Sequence, residues 1–252
     1  MAKSDGTEHN RRELLQAAAS SALLALAAWP LAARAQTAGG TPLKIGMIGS
    51  GREGGALGAA LVKAGHPVML SSRHPEELKN LVGGLGPLAK AGTVDQAIEF
   101  GDVVMIVVPY GAMQQIGRDY AAALAKKTLV IDVSNPIARR DGADLVKAVD
   151  EQGGAGLATA KMLPGAHLVR AFNAIGSAKI AADAHRAGGL VGVPIAGDDT
   201  NAIAVASSLI REIGFEPVLI GGLAKGKYLV PGTPLGGEHS PAEIRTIAAG
   251  LS

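Results

Sequence analysis

The chain contains no cysteine. That absence excludes disulfides, thiolate-held iron–sulfur clusters, cysteine zinc sites and thiol catalysis. There is also no His-x-x-x-His pair or acidic cluster with metal-ligand spacing, so no metal site is expected. None of Tyr110, Tyr120 and Tyr228 is followed by lysine four positions on, which argues against a short-chain dehydrogenase. Charge of neither sign prevails, with 24 Lys and Arg against 22 Asp and Glu, and nothing in that balance calls for a nucleic-acid partner. One further absence is local. Between Lys63 and Pro75 there is no carboxylate at all.

What precedes that gap gives it meaning. The apolar run Leu43-Lys44-Ile45-Gly46-Met47-Ile48 leads into Gly49-Ser50-Gly51-Arg52-Glu53-Gly54 and then into a helix of small residues. Three glycines at this spacing are a weak signal in a chain with 35 of them. Strand, turn and helix in this order, however, are what binding of a dinucleotide pyrophosphate requires. Gly49 would allow the tight turn, Gly51 would let the backbone approach the anion, and Gly54 would let the helix pack close to the sheet. The anion would rest on the unpaired N–H groups of the helix N-terminus.

About twenty residues beyond the first glycine, an NAD site places an acid on the ribose 2′-hydroxyl. Here the second strand, Pro67-Val68-Met69-Leu70, empties instead into Ser71-Ser72-Arg73-His74. A guanidinium and hydroxyls suit a 2′-phosphate, which a carboxylate would repel. Ser72 and Arg73 therefore favour NADP(H) over NAD(H).

The ends differ from the middle. Arg11-Arg12, an apolar stretch from Leu14 to Leu31 and Ala33-Arg34-Ala35 ahead of Gln36 read as an export signal over residues 1–35. The stretch Asn10 to Gln16 resembles the twin-arginine consensus, with Asn for Ser/Thr and Leu for Phe. A retained membrane anchor is the rival reading. Against it, the stretch is rich in Ala and broken by Pro30, where a spanning helix needs about 20 strongly apolar residues. The expectation is periplasmic export with no stable membrane insertion after cleavage, or a cytoplasmic protein if the signal is unused.

Between the ends, strands and helices alternate. Helices are expected over Pro75–Val82, Val94–Phe100, Ala112–Ala125 and Asn201–Ile213. Strands are expected near Leu88–Ala91 and over Asp102–Val108, Thr128–Val133, His167–Phe172, Val193–Ala196 and Glu216–Ile220. The fold class is a doubly wound parallel α/β sheet of the Rossmann type, one domain over 41–223 with a short extension over 224–252. Its ligand crevice lies at the carboxyl ends of the strands. Those ends are Val108-Pro109-Tyr110, Ser134-Asn135-Pro136 and Asn173-Ala174-Ile175-Gly176.

Two readings of these turns stand side by side. Proline and Asx chemistry ends strands without any ligand, and Asn173 would cap a helix starting near Ile175. Alternatively Val108, Pro109, Tyr110 and Asn135 pass beneath the ribose and nicotinamide, Ser177 joins them, and Asn173 orients the reacting atoms.

These residues together resemble the deazaflavin-dependent NADP oxidoreductases, also described as coenzyme F-420:NADP reductases. Lys44 to Gly51 is similar to that family's opening loop, Ser72-Arg73 to its 2′-phosphate pair, and Val107-Val108-Pro109-Tyr110 to its strand-end proline with a following aromatic. Asp132-Val133-Ser134-Asn135-Pro136, Ala171-Phe172-Asn173, Gly197-Asp198-Asp199 and Gly214-Phe215-Glu216-Pro217 match later strand ends, so coverage runs from about Leu43 to Leu223. The resemblance implies hydride transfer between NADP(H) and a deazaflavin, flavin-like or other small acceptor, a task asking mainly for orientation and exclusion of water. Arg52-Glu53 inside the loop, Glu77 in place of a lysine and the tail from Ala224 depart from the pattern. Reduction of a small imine or carbonyl, and a nucleotide-binding module without turnover, are the alternatives; a homodimer is compatible with each.

Overall fold

The computed structural model describes residues 42–251, and the expected signal over residues 1–35 lies outside them. The first half follows the alternation of the sequence. Strand β1 (Ile45–Ile48) leads into helix α1 (Arg52–Lys63), β2 (Val68–Ser71), a 3-10 turn (Pro75–Leu78), α2 (Lys79–Leu85), β3 (Ala89–Gly92), α3 (Val94–Phe100) and β4 (Val103–Ile106). A 3-10 turn at Tyr110–Ala112 opens α4 (Met113–Leu124), which is followed by β5 (Leu129–Asp132). Three helices the sequence does not announce come next: α5 (Ala138–Asp141), α6 (Ala143–Glu151) and α7 (Ala155–Met162). They lead to β6 (Leu168–Arg170), α8 (Ser177–Asp183), β7 (Gly192–Gly197), α9 (Thr200–Glu212) and β8 (Glu216–Gly221).

These strands form one eight-stranded sheet in the order β3-β2-β1-β4-β5-β6-β7-β8. Neighbours from β3 through β6 are parallel, and both sheet faces are covered. Along β4, Val103 and Met105 pack on the side of Leu57 and Leu61 from α1, whereas Val104 and Ile106 pack on the side of Met113 and Ile116 from α4. A strand buried on both faces is continuously apolar for that reason.

The expected doubly wound, mostly parallel α/β sheet is present, with one local difference at its end. β7 pairs antiparallel with β6, and β8 runs parallel to β7, so the last two strands reverse the sheet. The cause is the β6–β7 connection. A parallel return needs a crossover spanning the sheet, usually a long helix. α8 is only seven residues, packs against α1, and leaves the chain to re-enter from the carboxyl side. The crevice is therefore built by β1 to β6.

The stretch 224–251 belongs to the same compact unit as the sheet. A 3-10 segment (Leu223–Leu229) and helix α10 (Pro241–Ala249) enclose Leu229, Leu235 and Ile244 against Ala196 and Val218 of β7 and β8. Ser240 and Glu243 form a reciprocal capping box at the start of α10. Among the described residues, no helix is long and apolar enough to cross a membrane.

Candidate nucleotide and acceptor site

The glycine loop has the geometry its sequence promises. Gly49 has φ +104, and a Cβ there would stand 2.2 Å from the Val107 carbonyl oxygen. A Cβ on Gly54 would meet the Gly49 oxygen at the same 2.2 Å. Gly51 is different: a Cβ there would meet nothing within 4 Å, so no protein packing requires glycine. It is the exposed N-cap of α1 and gives that helix no side-chain cap. Open space in front of uncapped N–H groups is what an approaching phosphate needs.

Two cavities flank the loop. The first, about 650 Å³, is lined by Gly49, Ser50, Ser71, Ser72, Arg73, Val108 and Pro109, with one wall from α4. Ser71 is buried, and its hydroxyl accepts from the Gly49 N–H at 3.4 Å, tying the end of β2 to the loop. Ser72 Oγ accepts from the His74 N–H at 3.0 Å. Arg73 is exposed and has no hydrogen-bond or ion-pair partner among the described residues. Glu77 is exposed and lines neither cavity.

The second cavity, about 480 Å³, takes Gly51, Arg52, Glu53 and Gly54 from the other side of the loop and shares Val108 and Pro109 with the first. Ser134, Asn135, Arg139, Arg140, Phe172 and Asn173 face it. Asn173 is 4% exposed; its amide donates to the Asp132 and Ser134 carbonyls at 3.1 and 3.0 Å, and its Oδ1 has no partner among the described residues. Asn135 donates to the Asn173 carbonyl at 2.8 Å. Phe172, with φ +62, holds a left-handed conformation that costs a bulky residue energy. That turn sits directly ahead of Asn173, and the Phe172 ring packs edge-on against Phe215 at 6.3 Å.

Under this shelf lies a network the sequence reading missed. Asp132 and Arg170 face each other in register on β5 and β6 and form an ion pair in which neither side chain is exposed. Asp132 also accepts from the Ser134 N–H at 2.8 Å, the Ser134 hydroxyl at 2.5 Å and the Thr159 hydroxyl at 2.9 Å. Arg170 donates to the Ser134 carbonyl at 2.9 Å and to Asn135 Oδ1 at 3.4 Å. One opposite charge inside each of two neighbouring apolar strands was the available signal.

Tyr110 is a correction. Its side chain does not reach the cofactor crevice: it is 2% exposed and packed in the core, its hydroxyl bonded to Thr159 at 3.1 Å and the Ala155 carbonyl at 3.3 Å. Burial pushes that phenol up to about 12. An aromatic with a polar tip is satisfied there, where α7 supplies both an apolar wall and acceptors. Ser177 also lies off both cavities. It starts α8 and meets the loop through its N–H, which bonds the Glu53 carboxylate.

Glu53 is half-buried in the first turn of α1. Burial pushes its carboxyl up to about 7, against the opposing effect of the Ser177 N–H. Around it the charge is positive. Arg52 and Arg139 have no partner among the described residues, whereas Arg140 is bound to Asp141 at 2.8 Å and to the Asn135 carbonyl at 2.5 Å. Burial disfavours the Asp141 carboxylate, yet bonds from Arg140 and from the Ile137 and Gly111 N–H groups hold it below the usual range. Asp199 caps α9 through the Asn201 and Ala202 N–H groups at 2.8 and 3.1 Å.

The residues present fit a dinucleotide. The uncapped helix start and open face at Gly51 suit a pyrophosphate, and unpaired Arg73 beside Ser72 suits a 2′-phosphate. The orphan Oδ1 of Asn173 suits a carboxamide donor.

Comparison with known proteins agrees. Residues 44–136 match the family described as NADP oxidoreductase coenzyme F420-dependent. The metalloreductase STEAP3 of Rattus norvegicus is 30% identical over 190 residues, which is 73% of this chain and 35% of that protein, so the chain spans about a third of its length. A hypothetical protein from Sinorhizobium meliloti has 28% identity and a TM-score of 0.63 over 77% of this chain and 93% of its own. A candidate F420-dependent NADP-reductase from Arthrobacter sp. shares the fold at 21% identity, with a TM-score of 0.63 over 73% of this chain and 87% of its own. The resemblance to the coenzyme F420-dependent NADP oxidoreductases thus holds across the nucleotide-binding half of the chain.

Proposed function

We propose that the two cavities receive the two halves of NADP(H) and that hydride passes, in the second, to or from a small acceptor of the deazaflavin or flavin-like kind. The observation that carries this reading is Asn173. Its buried amide is locked by two backbone carbonyls, so its free oxygen has one direction to offer and no protein group to satisfy it. An unpaired buried acceptor costs about 1–3 kcal/mol, which a ligand N–H recovers. Ser72 and Arg73 would hold the 2′-phosphate, Gly49 to Gly54 the pyrophosphate, and Val108, Pro109 and Asn135 the ribose and nicotinamide.

Bound NADPH supplies the hydride. The chain supplies placement: the Asp132–Arg170 network fixes Ser134 and Asn135, these fix Asn173, and the apolar Val108, Pro109 and Phe172 exclude water. The unpaired Arg52 and Arg139 at the second cavity favour an acceptor carrying negative charge. We also infer export through the twin-arginine-like segment, a reading that rests on the sequence of residues 1–35 alone.

A screen of NADPH oxidation against deazaflavins, flavins, quinones, ferric chelates and imines tests the proposal. Turnover with a deazaflavin or flavin is the expected result. Turnover with imines alone would make the chain an imine reductase, and NADPH binding without any turnover would make it a binding module.

A further inference from the structure

The glycine loop carries one residue that pyrophosphate binding does not explain. Glu53 puts a carboxyl in the first turn of α1, beside the position where an anion would sit. It lines the second cavity together with Asn135 and Asn173, and its Oε1 has no hydrogen-bond partner among the described residues. Among the described residues, the contact that favours its carboxylate is the Ser177 N–H at the start of α8, which packs against α1. Among the residues lining this cavity Glu53 is the sole carboxylic acid; the other ionisable groups are Arg52, Arg139 and Arg140.

We propose that Glu53 is the acid of this site, protonated when the nucleotide is bound, and that it gives its proton to the acceptor as the acceptor takes the hydride. The inference rests on the hydride-transfer reading above. The acceptor gains a carbon–hydrogen bond from the hydride and a heteroatom–hydrogen bond from the Glu53 carboxyl. NADPH is oxidised by two electrons to NADP+, the acceptor is reduced by two, and the Glu53 carboxylate recovers its proton from water.

The surroundings support a protonated carboxyl. Burial already raises the group to about 7 without a ligand, and the negative pyrophosphate on the same helix start would raise it further. Among the described residues no cation forms an ion pair with it. Lys179 on α8 is engaged by Glu238 at 2.8 Å and Asp183 at 3.7 Å, and Arg140 is bound to Asp141. The remaining charges on adjoining elements are Arg52 and Lys63 on α1, Lys79 on α2 and Arg139 across the cavity; β1 and β2 carry none. None of these charges contributes to the Glu53 shift. The acid would be available at neutral pH and lost above it, the range a general acid needs.

The test combines binding and kinetics. Calorimetric titration of the full-length protein with NADP+, in two buffers of different ionisation enthalpy, should show net proton uptake just above pH 7. Glu53→Gln, which keeps an oxygen for the Ser177 N–H, should bind NADP+ without that uptake. With 5-deazariboflavin as acceptor, C5 takes the hydride and N1 the proton. The wild-type rate should then fall about tenfold per pH unit once the pH exceeds the raised value of the nucleotide-bound carboxyl. Glu53→Gln should be slower by about a hundredfold or more and indifferent to pH over that range. Glu53→Leu, which removes the Ser177 contact, should show the same flat profile if it melts as wild type does.

Equal proton uptake in wild type and Glu53→Gln would overturn the proposal whatever the acceptor. Turnover by Glu53→Gln with an unchanged pH profile would overturn it while leaving the hydride-transfer reading intact. Proton uptake that depends on Glu53 but leads to no turnover would overturn the hydride-transfer reading, and the donor role with it.

Discussion

Asp132 and Arg170 stand opposite one another on β5 and β6, fully buried, and the asparagines lining the second cavity hang from the bonds this pair makes. Arg170 reaches the Ser134 carbonyl and Asn135 Oδ1, and Asn173 reaches the Asp132 and Ser134 carbonyls. The pair sets the position of the shelf more than it adds stability, since burying two charges offsets much of their attraction.

Breaking the pair from one side should be costly. Asp132→Ala leaves a guanidinium uncompensated in the core and is expected to destabilise by about 3–5 kcal/mol, read by urea denaturation. Asp132→Ala with Arg170→Met should lose less than Asp132→Ala alone. If the double variant is the less stable of the two, the pair is not coupled as described.

The loop glycines should separate by cause. Gly49→Ala places a Cβ 2.2 Å from a backbone oxygen at φ +104, so the apo-protein should melt earlier. Gly51→Ala meets no protein atom within 4 Å, so apo stability should stay within about 0.5 kcal/mol while NADPH affinity drops. Equal melting losses would mean that Gly51 serves packing and not the nucleotide.

Asn173→Ala removes the orphan oxygen and both shelf bonds. Its turnover should fall about tenfold or more beyond any loss of NADPH affinity, as for a residue that orients reacting atoms. Normal turnover with lost affinity would move the nicotinamide elsewhere.

Glu53 should also be visible in the apo-protein. Its folded carboxyl titrates near 7 against an ordinary 4.5, so between those values the folded state holds more protons than the unfolded one. Stability from this group is complete below 4.5 and declines as pH rises through 7. Denaturation of wild type against Glu53→Gln across that window measures it; parallel curves would show that Glu53 titrates normally.

Much of this was legible in the sequence because strand, glycine turn and helix occur together and in order. Gly49, Gly51 and Gly54 have the three separate environments their spacing implies, and Ser72 and Arg73 line the first cavity. The reversal of β7 was not legible, since an apolar strand such as Val193–Ala196 reads the same in either direction. Helix α7 escaped notice because Ala155–Met162 is built mostly of small residues and shows little polar contrast between its faces. Tyr110 was placed at the ligand from its position after Pro109, yet its direction was decided by acceptors on α7, distant in sequence. Asp132 and Arg170 lie 38 positions apart, so their pairing is not local in sequence, although a charge in an otherwise buried strand requires an opposite charge nearby.

The measurement that bears most directly on the central claim is calorimetric titration of wild type and Arg73→Ala with NADPH and with NADH in one buffer. The exposed, unpaired Arg73 guanidinium beside Ser72 predicts that NADPH binds wild type about tenfold or more tighter than NADH. In Arg73→Ala that preference should largely vanish, with NADH affinity nearly unchanged. Equal affinities in wild type, or equal losses for both nucleotides in Arg73→Ala, would contradict the account.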